Sequence, residues 1–592
     1  MARPLRRRPS GSSAARAAVK KNREPSRMRA LILLAGAVLL ASTVWGKLVY
    51  WQVWQHNRLS TLANIQHVDS ITLPATRGVI YDDEGRPLAL NTTVYDVTLS
   101  PQTVLPSQRS EVGSGLATVL GVSADTIQKE LASGRVFYYI AHRVPMSQAQ
   151  QLQRMGLPGV ALQGVPQRVY VPGGIDGDTL AANLLGFVDY SGEGDRGVEQ
   201  DYNSKLAGVN GEATLYRDSE GQPIAATMQN QRKPVNGTSV TLTLDSDLQY
   251  EAEQAVEQDV KLNHAQSGSA IIMDTHTGGI VGYASYPSYN ANNFYDYSAS
   301  QTQDGIASNL YEPGSVMKVV TMAGAINAGA MSPNTVIYDP GYTTVQGQEI
   351  HDWDDAYMGN ITMTKVLEES LNVGAIKAEQ LEGKSNFLHY LQAFGFGEPT
   401  DAGVGEEANV PLPAASQWSP IQLATASFGQ GVDVNMIQMV AAINAIANGG
   451  VYVQPHVIDK VGNKPFVPQE RRVVSAQTAA LINQMMRSVV QHGSGYMARV
   501  PGFQLDEAGK TGQSQIPING QYSLQWYWAS YVGFMPASNP QFTMLINVTR
   551  PNNGSILAND GYIVAGPTWA KIAEDIVRLW HLTPSSLPPT PN

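Results

Sequence analysis

The stretch Glu312-Pro313-Gly314-Ser315-Val316-Met317-Lys318-Val319-Val320 decides how the rest of this 592-residue sequence is read. Pro313 and Gly314 make a turn that opens a helix at Ser315. Lys318, three residues on, then shares a helical face with Ser315. A serine in that position gains twice: its oxygen lies near the positive end of the helix dipole, and its own backbone N–H is free to hold an oxyanion. A neighbouring lysine, desolvated enough to be neutral, can take the hydroxyl proton. A helix cap followed by a surface lysine spells the same letters, so the motif needs company.

Two further motifs supply it. Ser370-Leu371-Asn372 falls between helical runs, a polar pair in an inter-helix turn able to relay a proton and hold an amide. Read alone, it is a helix cap. Lys510-Thr511-Gly512 precedes a tryptophan-rich loop (Trp526, Trp528) and a strand over 530–534. Lysine, hydroxyl and glycine on an exposed strand would bind a terminal carboxylate and let backbone come close. The order Ser-x-x-Lys, Ser-x-Asn, Lys-Thr-Gly is the signature shared by penicillin-binding proteins and class A β-lactamases.

Outward from these motifs, alternation predicts a strand over 239–244, then an amphipathic helix over 245–262. A hairpin follows, its strands over 269–273 and 279–283 around Thr275-His276-Thr277-Gly278. Helices are expected over 315–328, 362–382, 420–448, 476–491 and 568–579, and a strand over 542–548. Strands at both ends with helices between give an α+β fold, an antiparallel sheet carrying a helical insertion. Residues 55–235 show short β-like runs, as at 78–81 and 96–99, interrupted by a helical patch over 124–132. They read as an irregular α+β module ending at the turn Pro234-Val235-Asn236-Gly237.

The N-terminus has a different character. Residues 1–29 hold ten basic residues against Glu24, so the tail carries +9 while the whole chain carries −10. The remainder is therefore at −19, which argues against a nucleic-acid partner for the body. From Ala30 to Gly46 no residue is charged, and with Lys47 snorkelling the span 30–50 supplies the roughly 20 residues a membrane helix needs. Trp45, Tyr50, Trp51 and Trp54 would form an interfacial belt, and the basic tail would stay inside. A cleaved signal peptide is the rival, but no small-residue cleavage site precedes the aromatic belt. The chain has no cysteine, which removes thiol nucleophiles, zinc-thiolate sites and disulfides.

With three motifs in order, the sequence resembles a class B penicillin-binding protein, a monofunctional peptidoglycan D,D-transpeptidase. The module before residue 235 strengthens this. Arg77-Gly78-Val79-Ile80-Tyr81-Asp82, Arg168-Val169-Tyr170-Val171-Pro172 and Gly194-Asp195-Arg196-Gly197-Val198-Glu199 are similar to that family's pedestal motifs, which β-lactamases lack. Phe428-Gly429-Gln430-Gly431 and Ala447-Asn448-Gly449-Gly450 resemble segments of the catalytic half, and the former leans towards the division-type branch over the elongation branch. The expected organisation is a basic tail (1–29), a membrane helix (30–50), a pedestal of the dimerisation type (51–235), a transpeptidase domain (236–582) and a disordered Pro-rich tail (583–592).

The resemblance implies roles. Ser315 would be acylated and Lys318 would be its base; Ser370 and Asn372 would assist proton transfer and hold the substrate amide. Lys510, Thr511 and Gly512 would bind the peptide carboxylate, and the N–H groups of Ser315 and Gln513 would form the oxyanion hole. Gln513 departs from the family, which has threonine or serine there, and so puts β-lactam affinity in question. Implied partners are peptidoglycan stem peptides, β-lactams, a membrane glycosyltransferase of the SEDS type and other division proteins; no metal or cofactor is expected. A β-lactamase or carboxypeptidase is set aside by the pedestal motifs. A non-catalytic scaffold or sensor would lack an intact serine or lysine, or would need an internal signalling domain. Gly192-Glu193-Gly194-Asp195-Arg196-Gly197 matches a dinucleotide fingerprint, but its acids would repel a pyrophosphate. Gly509-Lys510-Thr511 mimics the end of a phosphate loop, with Gln504 where the first glycine is required.

Overall fold

The computed structural model describes residues 24–217, 223–353, 357–503 and 506–584. The expectations for residues 1–23, for Gln504 and for the tail from 585 lie outside the described residues. By contact, the chain divides into residues 1–73 with 211–233, and residues 74–210 with 234–592.

The first unit begins with the helix Glu24–Val49, continued by the turn Tyr50–Trp54. Side chains 27–48 are exposed all round, Leu33 and Leu39 at 74%. Residues Arg27–Trp54 form the one helix among the described residues that is long and apolar enough to cross a membrane. After the helix His56–His67, the strand Gly211–Arg217 lies between Val68–Leu73 and Pro223–Arg232 in an antiparallel sheet.

The second unit is built on a five-stranded antiparallel sheet. Its spatial order is Ile280–Tyr286, Ser267–Asp274, Phe542–Thr549, Gln521–Met535, Ala508–Ile518. Both faces are apolar because both are covered. One face packs Ile272, Met544 and Ile546 against Leu248, Val256, Trp569 and Ile572 of the helices Ser246–Leu262 and Gly561–Leu579. The other packs Ile271, Val532 and Leu545 against Met317, Val320, Ile437 and Met485 of the helical insertion. Asp245 starts the first covering helix by accepting from the N–H of Asp247 (3.0 Å) and Leu248 (3.1 Å).

Several local expectations need correction. The helix expected over 420–448 is two helices, Pro420–Ala426 and Met436–Ala447, because Gly429 and Gly431 take φ of +84° and +78° between them. The run 362–382 divides into Met363–Glu368 and Asn372–Glu382 at Ser370, where the sequence had placed an inter-helix turn. Trp526 and Trp528 lie within the strand Gln521–Met535, not in a loop. The last helix starts at Gly561, ahead of the expected 568, where Asp560 caps it, and Pro567 lies inside it.

A second sheet crosses residue 235. Its order is Lys464–Pro465, Ile458–Val461, Val240–Leu242, Ile80–Tyr81, Pro87–Leu99, Tyr138–Val144, and Val160–Tyr170 also pairs with Pro87–Leu99. Val240–Leu242 runs parallel to Ile80–Tyr81 and antiparallel to Ile458–Val461. Ile80, Leu88 and Leu184 are accordingly buried in the same cluster as Ile271 and Met317.

The three pedestal motifs meet at Glu199, which is fully buried. Its carboxylate accepts from Arg77 Nε (2.7 Å), Arg168 Nε (2.7 Å) and the Tyr170 hydroxyl (3.2 Å). Arg168 also donates to the Gly78 carbonyl (2.7 Å) and Arg77 to Asn203 (2.8 Å). The glycines of the dinucleotide-like stretch serve this packing: a Cβ on Gly194 would stand 1.9 Å from the Glu199 carbonyl oxygen.

Candidate active site

Ser315 sits in the tight turn Gly314–Val316 that leads into the helix Met317–Asn327. The turn is clamped from two sides. Gly314 takes φ +59°, and a Cβ there would lie 2.4 Å from the Gln513 carbonyl oxygen. Its N–H donates to the Gly429 carbonyl (3.1 Å), and a Cβ on Gly429 would lie 2.2 Å from the Gly314 oxygen. The segment Phe428–Gly431, noted in the sequence without a role, is thus the backing of the serine turn. Glu312 locks the other side: it accepts from the Gly431 N–H (2.8 Å) and the Tyr522 hydroxyl (2.9 Å), and its carbonyl accepts from Ser514 Oγ (2.5 Å).

Lys318 is fully buried. Its Nζ donates to the Ser370 carbonyl (2.5 Å) and to Asn372 Oδ1 (2.9 Å), with Ser370 Oγ at 3.5 Å. Ser370 can offer both its carbonyl and its hydroxyl because its φ is +60°. Lys510, also fully buried, donates to the same Ser370 Oγ (2.8 Å), to the Thr511 carbonyl (3.0 Å) and to Thr511 Oγ1 (3.1 Å). The strand carrying Lys510 was expected to be exposed; instead it is the sheet's edge strand, with Lys510 turned inward. Desolvation by burial holds Lys318 well below the usual lysine range, reinforced by the Lys510 charge and opposed by Asp352. Burial brings Lys510 down to about 7, opposed by the Asp560 carboxylate.

The cleft in front of Ser315 has a volume of about 150 Å³, and Ser370, Asn372, Thr511, Gly512 and Gln513 line it with Ser315. All eight residues singled out in the sequence are thus brought together: six line the cleft, and Lys318 and Lys510 stand behind it, bonded to Ser370. A Cβ on Gly512 would be 2.8 Å from Val316 and 3.0 Å from the Pro313 carbonyl oxygen, so the glycine is what lets the strand reach the serine turn. Gln513 uses its side chain outward, donating to the carbonyls of Ile556 (3.3 Å) and Asn559 (3.4 Å).

Sequence reasoning missed four members. Asp352 accepts from the N–H groups of Asn372 (2.5 Å) and Val373 (3.0 Å), capping the helix that presents Asn372. Burial pushes its carboxyl up to about 6. Ser494 shares a hydrogen bond with Thr511 Oγ1 (3.1 Å) and lines the cleft; its flanking glycines, Gly493 and Gly495, were its only signal. Trp353, 58% exposed, stands at the mouth with its indole N–H on the Glu369 carbonyl (3.0 Å). Asp560 borders the cleft near Lys510. Among the described residues no group of three or more acidic or histidine side chains could hold a metal ion.

A serine on a helix-opening turn, backed by two buried lysines that share one hydroxyl beside an antiparallel sheet, defines a serine acyl-transfer centre. The penicillin-binding protein transpeptidase domain family matches residues 268–575, and the penicillin-binding protein dimerisation domain family matches residues 72–242. The penicillin-binding protein PbpB of Mycobacterium tuberculosis is 33% identical over 81% of this chain and 75% of its own. The peptidoglycan D,D-transpeptidase FtsI of Escherichia coli is 29% identical over 94% of this chain and 92% of its own. Among solved structures, penicillin-binding protein 3 of M. tuberculosis in complex with aztreonam superposes with a TM-score of 0.67 at 27% identity, covering 88% of this chain and 99% of that one. The chain belongs to the class B penicillin-binding proteins.

Proposed function

We propose that this protein is a peptidoglycan D,D-transpeptidase of the division type, and that Ser315 is acylated by stem peptides ending in D-Ala-D-Ala. The observation that carries the reading is the wiring of Lys318. A neutral amine has two N–H donors and one lone pair. Both donors are engaged, by the Ser370 carbonyl and Asn372 Oδ1, so the lone pair is left for the proton of Ser315 Oγ. Burial lowers the amine well below the usual lysine range and so favours the neutral form.

The steps follow. Ser315 Oγ attacks the penultimate D-Ala carbonyl while its proton passes to Lys318 Nζ. The oxyanion is held by the backbone N–H groups of Ser315 and Gln513. The C–N bond breaks, and the departing D-Ala nitrogen takes a proton by way of the Ser370 hydroxyl. An amine from a neighbouring stem then attacks the ester, and Ser315 Oγ recovers its proton. Lys510 and Thr511, with Gly512 giving close access, hold the terminal carboxylate. A β-lactam enters as a mimic of that peptide end and stalls at the acyl-enzyme.

The organisation goes with this reading: residues 1–29 inside the cell, 30–50 across the membrane, 51–235 as pedestal and 236–582 as catalytic domain outside. Ten basic residues on one side of the span support that orientation. The family resemblance implies a membrane glycosyltransferase of the SEDS type and other division proteins as partners. The test is covalent labelling with a fluorescent penicillin. A stable adduct in wild type that is absent in Ser315→Ala supports the reading; labelling that decays within seconds makes the chain a hydrolase instead.

A further inference from the structure

A larger cleft, about 570 Å³, opens at the other end of the catalytic sheet, on the face that carries the helical insertion. It lies in the volume range of small-molecule sites, roughly 300–1,000 Å³. Its walls are Ser269, Ser285, Asn547, Gln303 and the aromatic pair Tyr311 and Trp528, whose rings meet edge to face at 6.2 Å. Among the described residues no acidic side chain lines it, and Arg550 is the one charged residue there. Tyr311 is 3% exposed, and its hydroxyl is shielded from solvent beside the Asn547 side chain.

We propose that this cleft is a binding site for an uncharged oligosaccharide bearing hydroxyl and N-acetyl groups, namely a stretch of glycan strand. Short hydroxyls and neutral amides match a ligand made of the same groups, and the partly exposed indole of Trp528 adds an apolar wall for a sugar. An acid-free wall gives a cationic ligand nothing to bind. The choice of glycan rests on the reading of the chain as a peptidoglycan transpeptidase. The cleft also touches the machinery: Tyr311 adjoins Glu312, and its N–H is fixed to the Val434 carbonyl (2.9 Å) in the loop that backs Ser315. Occupancy there would bear on the serine turn.

Gly305 offers a clean test. It lines the cleft, its φ is unexceptional, and a Cβ would meet only Asn309 Nδ2 at 3.5 Å and Ser269 Oγ at 3.8 Å. Gly305→Phe therefore fills the space without disturbing the core. The full chain in detergent is titrated with a tetramer of β-1,4-linked N-acetylglucosamine, read by calorimetry and tryptophan fluorescence. The expected result is saturable binding in wild type, weaker by about tenfold or more in Gly305→Phe, with penicillin labelling of Ser315 retained. No saturation, binding indifferent to Gly305→Phe, or displacement of the sugar by a free stem pentapeptide would each overturn the proposal. Failure of wild-type penicillin labelling would instead strike the transpeptidase reading, and the sugar titration is scored independently of it.

Discussion

Replacing Ser370 by alanine isolates the hub of the site. Its hydroxyl accepts from Lys510 Nζ at 2.8 Å and lies 3.5 Å from Lys318 Nζ, while the stronger tie to Lys318 runs through its backbone carbonyl at 2.5 Å. The substitution therefore removes the connection between the two lysines and leaves Lys318 in place. Positioned proton transfer contributes about 10²–10⁴-fold. With the carbonyl tie kept, the lower half applies: acylation by a fluorescent penicillin should slow by about 10²–10³-fold, or about 3–4 kcal/mol in barrier. Ser370→Gly supplies the control. Its φ of +60° costs a non-glycine residue about 1–2 kcal/mol, so glycine should match alanine in rate while unfolding at higher denaturant. The assay is the second-order acylation rate at saturating protein stability, with urea melts alongside. An alanine variant within about threefold of wild type would remove Ser370 from the proton path.

Three further outcomes are expected. Glu199→Gln leaves the guanidinium groups of Arg77 and Arg168 buried against a neutral amide, and should cost about 3–5 kcal/mol in denaturant unfolding, seen as a lower midpoint at unchanged slope. Lys510 is brought from 10.5 to about 7 on folding, so the unfolded chain binds more protons between those values; this group's contribution to stability should rise with pH from about 7 to 10.5, and the rise should vanish in Lys510→Met. Gly429→Ala forces a Cβ within 2.2 Å of the Gly314 oxygen at a φ of +84°, and should lower stability by at least about 2 kcal/mol and slow acylation as well, whereas acylation at the wild-type rate would mean that the backing loop does not set the serine turn.

The site was legible in the sequence because its chemistry is written in short local motifs: Ser315 with Lys318 on one helix, Ser370 with Asn372 across one turn, Lys510 to Gln513 on one strand. The antiparallel sheet was legible for the same reason, as runs of alternating or continuous apolar residues. What escaped is non-local. Asp352 acts on a helix twenty residues downstream, and Glu312 works through Gly431 and Tyr522, over a hundred residues away. Burial of Lys510 is invisible in a run of letters, since it depends on what covers the strand. Local rules also misled: the helix Gly561–Leu579 runs through Pro567, and the hydrophobic run 420–448 hides two glycines whose left-handed backbone no periodicity reveals.

The strand Val240–Leu242, seated between Ile80–Tyr81 and Ile458–Val461, has a consequence for how such genes can exchange parts. A crossover near residue 235 between two diverged relatives would not swap one self-standing piece for another. It would join foreign strands inside a single sheet and foreign side chains inside a single core, where Ile80 and Leu184 meet Ile271. Mosaic descendants that survive should carry their seams elsewhere, or should carry compensating changes at these strand partners.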